Sequence, residues 1–282
     1  MNLSSLLKDG AAVLKRAGIK NIHTDTQLIL AAALKKDRLY VLTNPQAEAS
    51  HAETNVFIEN IKKRAQGCPL EYITFCAEFY SLPFYVDENV LIPRLDTEVL
   101  ADAAVKKIGS SGAKVIEIGT GSGVIAVTVA KNCENAEITA TDISCAALEI
   151  AKKNAAQNNV RVTFRQGDIY AALNDCDYPA DYIISNPPYI KRAEIAELDK
   201  SVRCFEPEIA LNGGADGLNF YRKIITGAKK YLKPSGFVMF EIGYNQALDV
   251  SEIFTNEGFA DILIKNDSAN LNRVIEARKN YV

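Results

Sequence analysis

The segment between residues 114 and 185 alternates short apolar runs with amphipathic stretches. The apolar runs have the length of buried strands, and the stretches between them place apolar residues at helical spacing. Because parallel strands need crossover connections, this order predicts a mostly parallel, Rossmann-like sheet flanked by helices. The predicted elements are strands at 114–118, 137–141, 160–165 and 181–185, with helices at 124–131 and 145–157.

The residues before this alternating segment follow other patterns. Residues 1–66 carry apolar residues at helical spacing, while residues 71–86 are rich in aromatic and β-branched residues typical of a hairpin. We therefore predict a helical domain at 1–70, a hairpin linker at 71–88 and a catalytic domain at 89–282. After a helix at 218–232, a strand at 237–242 and a helix at 246–256, two strand-like stretches at 260–264 and 273–277 predict an antiparallel edge hairpin.

Composition excludes several classes of protein. Acidic residues outnumber basic ones by 35 to 32, so we expect no strong direct binding to nucleic acid. The six scattered cysteines and two histidines do not predict a metal site, and no apolar run is long enough to predict a membrane span. We expect a monomeric cytoplasmic protein.

A glycine-rich loop, EIGTGSG, follows the first predicted strand. Gly119, Gly121 and Gly123, with Thr120 and Ser122 between them, stand where a strand meets a helix, and missing β-carbons there let the backbone approach a ligand. The spacing is G-x-G-x-G, not the G-x-G-x-x-G of dinucleotide sites. The pattern indicates a nucleotide-like cofactor, and a tight strand-to-helix turn without a ligand is the alternative.

Acidic residues end the next two predicted strands. Asp142 lies about 20 residues beyond the glycine loop, where a carboxylate can accept hydrogen bonds from both hydroxyl groups of a ribose. Asp168 and Ile169 stand at the same carboxyl edge, where an acid beside an apolar residue suits an adenine. Helix capping by Asp142 and an ordinary turn at Asp168 are the alternatives.

The tetrapeptide Asn186-Pro187-Pro188-Tyr189 follows the fourth predicted strand. Proline cannot extend the sheet, so the backbone leaves it along a stiff path that exposes carbonyl oxygens. The Asn186 side-chain oxygen and the Pro187 carbonyl can together accept both N–H groups of one planar amine, and Tyr189 would supply an apolar wall. The motif therefore predicts an amine clamp, with a proline-stiffened loop as the alternative.

These motifs resemble class I methyltransferases that use S-adenosylmethionine, and more closely the PrmC (HemK) family, which methylates the glutamine of the Gly-Gly-Gln motif in peptide chain release factors. The segments GCPLEYITFCAEFYSLPFYV, VLIPRLDTE and EPEIALNGGADGLNFYRKI strengthen the resemblance. It covers nearly the whole chain. Two departures are visible, since Leu95 stands where the family commonly has proline and Phe75 where it commonly has glycine.

The resemblance implies a role for each motif. Residues 119–123 would line the methionine part of S-adenosylmethionine, Asp142 would hold its ribose, and Asp168 with Ile169 would border its adenine. Asn186, Pro187, Pro188 and Tyr189 would bind the substrate glutamine, with Asn186 also beside the cofactor. The helical domain would help to grip a release factor, whether free or on the ribosome.

Three other functions are open to a sequence of this kind. An adenine methyltransferase acting on RNA or DNA would use the same clamp, but the acidic balance disfavours it. A non-catalytic protein that docks on the translation machinery would not need intact cofactor motifs. A nicotinamide-dependent oxidoreductase is disfavoured by the glycine spacing.

Overall fold

The computed structural model describes residues 1–280, which form eleven α-helices, nine strands and three short 3₁₀ turns. The helices are α1 (Leu3–Arg16), α2 (Ile22–Leu34), α3 (Arg38–Thr43), α4 (His51–Ala65), α5 (Leu70–Thr74), α6 (Thr97–Ile108), α7 (Val124–Asn132), α8 (Cys145–Gln157), α9 (Lys200–Arg203), α10 (Asn219–Tyr231) and α11 (Ala247–Asn256). The strands are β1 (Ala77–Phe79), β2 (Leu82–Phe84), β3 (Lys114–Ile118), β4 (Glu137–Asp142), β5 (Thr163–Gln166), β6 (Ala180–Ser185), β7 (Leu232–Glu241), β8 (Phe259–Asn266) and β9 (Asn272–Lys279).

The chain forms two compact units, and neither is one continuous stretch. The first unit comprises Met1–Cys76 together with Asp199–Phe205, and the second comprises Ala77–Leu198 together with the chain from Glu206 onward. This division differs from the predicted boundaries in two ways. The β1–β2 hairpin belongs to the second unit, and a short segment far along the sequence belongs to the first.

The first unit is a helical cluster whose apolar faces point inward. Its buried side chains come mainly from α1, α2 and α4 and include Leu3, Leu6, Leu14, Ile29, Leu30, Phe57 and Ile61. Asn2 caps α1, and Ser50 with Glu53 forms a capping box that starts α4. An ion pair of 2.7 Å joins Nε of the half-buried Arg64 to the buried Asp25. These features give the unit an apolar core of its own without a sheet.

The second unit contains a seven-stranded sheet in the order β5-β4-β3-β6-β7-β9-β8. The pairs from β5 to β7 are parallel, and β9 pairs antiparallel with both β7 and β8. Successive residues of the central strands enter two different apolar cores, one shared with α6–α8 and the other with α10 and α11. The prediction of a mostly parallel sheet with an antiparallel edge hairpin is confirmed.

Three predicted elements differ in detail. Residues 70–74 form a helical turn, and the hairpin starts only at Ala77, because Tyr72 and Ile73 are buried side by side on a turn that begins at Pro69. The third predicted strand begins at Thr163, not at 160. Strand β7 begins at Leu232 and runs through Pro234 and Gly236, where its register against β6 shifts.

The register of the parallel strands brings four chain exits to one edge of the sheet. Ile118 of β3 pairs with Thr141 of β4 and with Ser185 of β6, and Ser185 also pairs with Phe240 of β7. The residues that follow these positions therefore meet at the carboxyl edge, where open α/β sheets bind ligands.

Candidate active site

A cavity of about 350 Å³ opens at this carboxyl edge, within the size range of small-molecule sites. The strand ends of β3, β4 and β6 form its floor, and segments around Pro93 and Ile209 form its walls. The predicted site residues that line it are Gly119, Thr120, Gly121, Ser122, Asp142, Asp168, Ile169, Asn186, Pro187 and Pro188. Predicted residues from four separate stretches of sequence are thus brought together.

The glycine loop and Asp142 form one hydrogen-bonded unit. The backbone N–H of Gly121 donates to Asp142 Oδ2 over 2.8 Å, and that of Ser144 donates to Oδ1 over 2.9 Å. Gly121 has a φ of 55°, and a β-carbon there would meet no atom within 4 Å, so the space above it is open for a ligand. Burial raises the pKa of Asp142, while hydrogen bonds from the backbone N–H groups of Ser144, Gly121 and Ile143 oppose that rise.

Asp168 and Ile169 follow β5 after a single residue, Gly167. Asp168 is exposed, whereas Ile169 is half-buried and packs against the core shared with α10 and α11. On the other side of Asp142, Ile143 also lines the cavity and is 51% exposed. An acid beside two apolar side chains provides both an acceptor and faces for a flat ring.

Asn186 is held by the first residue of α6. Its side-chain Nδ2 donates to Thr97 Oγ1 over 3.2 Å, so the side-chain oxygen Oδ1 is left to face elsewhere. Thr97 is itself buried and lines the same cavity. The two prolines that follow carry the chain out of the sheet, and both line the cavity. The Asn186 side-chain oxygen is therefore an acceptor with a fixed direction at the carboxyl end of β6.

Two of the predicted residues, Tyr189 and Gly123, do not line the cavity. The Tyr189 ring packs on the core shared with α10 and α11, and its hydroxyl donates to Glu241 Oε1 over 3.2 Å. It therefore anchors the segment instead of forming the expected apolar wall. Gly123 lies against α8, where an added β-carbon would stand 3.1 Å from that of Ala151, so it permits close helix packing.

Sequence reasoning missed four supporting residues: Thr97, Glu117, Glu241 and Gln246. Gln246 Nε2 donates to the Tyr189 carbonyl over 3.1 Å, and the Thr120 hydroxyl donates to Glu117 Oε2 over 2.6 Å. The available signal was an acid inside or at the end of an apolar strand, as in VIEIG and FEIG. A buried carboxyl group at a carboxyl edge is costly unless it has partners, so such an acid merits attention.

The residues of the cavity fit S-adenosylmethionine. An open space lies above Gly119 and Gly121, where added β-carbons would meet nothing within 4 Å. A carboxylate, Asp142, stands beside that space, and Ile143 and Ile169 offer apolar faces farther along. The open space, the carboxylate and the apolar side chains match the amino acid, ribose and adenine parts of that cofactor in turn.

Comparisons with known proteins point in the same direction. A model described as the methyltransferase small domain matches residues 94–202, and one described as the PrmC N-terminal domain matches residues 5–74. A release factor glutamine methyltransferase of Clostridium acetobutylicum is 38% identical over 280 residues, which cover 98% of each chain. One of Clostridium botulinum is 39% identical over 282 residues, covering 99% of this chain and 100% of the relative.

The chain belongs to the release factor glutamine methyltransferase family. A solved structure of a methyltransferase from Pyrococcus furiosus shares the fold, with a TM-score of 0.53 and 19% identity over 80% of this chain and 97% of the other. Across residues 1–280, no helix of this family member is both long and apolar enough to cross a bilayer.

The two departures from the common sequence of the glutamine methyltransferases lie at exposed positions. Leu95 is 79% exposed beside Asp96, which pairs with Arg273 over 3.0 Å. Phe75 ends α5 with a φ of 54°, a left-handed conformation that glycine adopts without steric cost. Glycine is therefore the easier residue at that position, and this chain tolerates the strain of a phenylalanine.

Glu117 gives this glutamine methyltransferase a pH-dependent stability. Burial raises its pKa from 4.5 to about 8, so the folded protein keeps the proton that the unfolded chain has already released. Between those two values the unfolded state binds fewer protons, and stability falls as pH rises, by at most about 1.4 kcal/mol per unit. We expect Glu117→Gln, which stays neutral, to remove this decline and to be the more stable protein at pH 8.

The measurement is urea unfolding of both proteins, without cofactor, from pH 5 to pH 8. Glu252→Gln, at an exposed position of α11, serves as the matched control and should follow the wild-type curve. Parallel curves for wild type and Glu117→Gln would show that Glu117 does not titrate in this range.

Proposed function

We propose that this protein transfers a methyl group from S-adenosylmethionine to the side-chain amide nitrogen of the glutamine in the Gly-Gly-Gln motif of peptide chain release factors. The observation that carries the proposal is the orientation of Asn186 at the cavity. With Nδ2 engaged by Thr97, its Oδ1 is available to a ligand that donates N–H groups. Near-full-length similarity to release factor glutamine methyltransferases supports the choice of acceptor.

The glycine loop and the strand ends would hold the cofactor. Residues 119–122 border its methionine part, Asp142 accepts from its ribose, and Asp168 with Ile169 borders its adenine. When bound, S-adenosylmethionine supplies an electrophilic methyl group.

Asn186 and Pro187 would hold the acceptor amide. An amide nitrogen is a poor nucleophile because its lone pair is delocalised into the carbonyl group. Asn186 Oδ1 and the Pro187 carbonyl can each accept one of its two N–H groups, which fixes the direction of the nitrogen and favours reduced delocalisation. Orientation by preset acceptors then replaces a strong base, and the proton that the nitrogen loses goes to water.

The helical unit would contribute to partner binding. The match of residues 5–74 to the PrmC N-terminal domain supports a distinct role for this part of the chain. We infer that it grips the release factor outside the Gly-Gly-Gln loop, either free in the cytoplasm or on the ribosome, and that the enzyme acts as a monomer.

Mass spectrometry of a purified release factor tests the function directly. The release factor is incubated with the enzyme and S-adenosylmethionine, and its peptides are then compared with those of a factor whose Gly-Gly-Gln glutamine is replaced by glutamate. We expect one added methyl group on that glutamine and none on the control. Methyl transfer to adenine in RNA or DNA, with the release factor unmodified, would assign the nucleic-acid alternative instead.

A further inference from the structure

A buried hydrogen-bonding group lies behind the clamp and plays no direct part in the proposed chemistry. Thr97 is 3% exposed and accepts from Asn186 Nδ2, although the two residues are 89 positions apart in the chain. A threonine hydroxyl has one proton to donate and lone pairs that accept. Because its oxygen already accepts from Asn186, its proton must find an acceptor elsewhere.

Glu241, at the end of β7, is the neighbouring acceptor. It is 2% exposed, and its Oε1 accepts from the Tyr189 hydroxyl. Its Oε2 is buried and has no hydrogen-bond partner among residues 1–280. Burial raises the pKa of Glu241, and interactions with the Thr97 hydroxyl and then with the charge of Arg273 oppose that rise. Thr97 thus interacts with a carboxyl group whose second oxygen is unsatisfied.

The chemistry of these groups gives the arrangement a single direction. The interaction with Thr97 opposes the rise in the pKa of Glu241, as a hydroxyl that donates to the ionised carboxylate would, and a carboxylate can only accept. A Thr97 hydroxyl that donates to Glu241 turns its lone pairs toward Asn186. Asn186 must then present its NH2 group to Thr97 and its oxygen to the cavity. Active-site hydrogen bonds are often long without substrate and shorten in the complex, which fits the free Oε2.

We propose that Glu241 and Thr97 are positioning residues, which act in series through Asn186 to keep its side-chain oxygen turned toward the acceptor amide. This proposal rests on the proposed function, because it assumes that Asn186 binds an N–H donor. In reverse orientation, Asn186 would present its own NH2 group to the NH2 group of the substrate. Methyl transfer would then slow while the cofactor, held by residues on β3 and β4, would bind as before.

Paired substitutions separate this role from a general structural one. Thr97→Val removes the hydroxyl at constant shape, and Thr97→Ser keeps it. Glu241→Met removes both carboxyl oxygens at similar volume. Thr128→Val is the matched control, because Thr128 is fully buried and its hydroxyl has no partner among residues 1–280. We expect Thr97→Val and Glu241→Met each to lower kcat roughly 10- to 100-fold.

Three further results are expected, for the control variants, for cofactor affinity and for the double variant. Thr97→Ser and Thr128→Val keep kcat within about threefold of wild type, and all variants keep their affinity for S-adenosylmethionine, measured by calorimetry. The double variant Thr97→Val/Glu241→Met is no slower than the slower single variant, because both changes interrupt the same series of contacts. Wild-type kcat in Thr97→Val, or losses that simply add in the double variant, would overturn the proposal.

A second readout does not depend on activity. In the ¹⁵N-labelled protein without substrate, the side-chain NH2 protons of Asn186 should exchange slowly with water in wild type and Thr97→Ser, and faster in Thr97→Val and Glu241→Met. Equal exchange rates in all four proteins would contradict the series of contacts. If wild type leaves the release factor unmodified, the proposed function fails, while these exchange rates still decide whether Glu241 and Thr97 orient Asn186.

Discussion

Replacing Asn186 with alanine should lower kcat about 10²- to 10³-fold, equivalent to roughly 2.7–4 kcal/mol of transition-state stabilisation. The alanine removes the side-chain acceptor that the clamp needs, while the backbone carbonyl of Pro187 remains. A single acceptor leaves the amide free to rotate. The nitrogen is then no longer oriented toward the methyl group, and its lone pair stays delocalised into the carbonyl group. Single-turnover measurement with a saturating release factor checks this expectation.

The affinity of Asn186→Ala for S-adenosylmethionine shows whether the substitution affects only the clamp or also the cofactor site. Because the glycine loop and Asp142 are bonded to each other and not to Asn186, the dissociation constant should change less than about threefold. The exposed Asn256, at the end of α11, provides an Asn→Ala control with wild-type turnover. Undiminished turnover in Asn186→Ala would remove this residue from the mechanism.

Replacing Gly217 with alanine should displace the segment that carries the clamp, because the new β-carbon would collide with the backbone of Tyr189. Gly217 has a φ of 79°, and an added β-carbon would stand 2.4 Å from the Tyr189 carbonyl oxygen and 2.8 Å from Gln246 Nε2. These atoms cannot both stay in place, so the bond between Gln246 and the Tyr189 carbonyl is lost and the segment moves. We expect kcat to fall at least about 10-fold and stability to fall by about 2–4 kcal/mol.

Gly258 provides a matched control for this substitution. It has a φ of 77°, and an added β-carbon would meet nothing within 4 Å. Gly258→Ala therefore carries the backbone strain alone, about 1–2 kcal/mol, and should keep full activity. Thermal unfolding and methyl-transfer assays of both variants measure the difference. Equal losses of activity would mean that contact with Tyr189 is not the cause.

The sheet, and the position of the glycine loop, Asp142 and Asn186 at one edge of it, were predictable because they follow from local rules. Apolar runs of strand length separated by amphipathic stretches indicate parallel strands, and parallel strands place their exits at one edge. The positions of Gly121, Asp142 and Asn186 around one cavity are consequences of that rule. Helix α8 was predicted with its observed ends, 145–157, because its helical spacing spans more than three turns.

The supporting contacts were not predictable in the same way. Tyr189 and Glu241 are 52 positions apart, and nothing local to either residue indicates the other. The aromatic and β-branched residues at 71–86 predicted a hairpin, but burial of Tyr72 and Ile73 favours a helical turn at the start of that segment. A turn of five residues is too short for periodicity to decide, so tertiary packing determines its conformation.

The path of the chain between its two units has a consequence for how such an enzyme can be divided or recombined. The polypeptide passes from one unit to the other three times, because Asp199–Phe205 returns to the helical cluster before the sheet is complete. One cut near residue 76 therefore leaves that heptapeptide behind in the fragment that carries the sheet. Exchange of helical modules between relatives at a single junction would mismatch the two parts. An exchange that keeps the unit intact has to move the heptapeptide together with the helical cluster, although more than 120 residues separate them in the sequence.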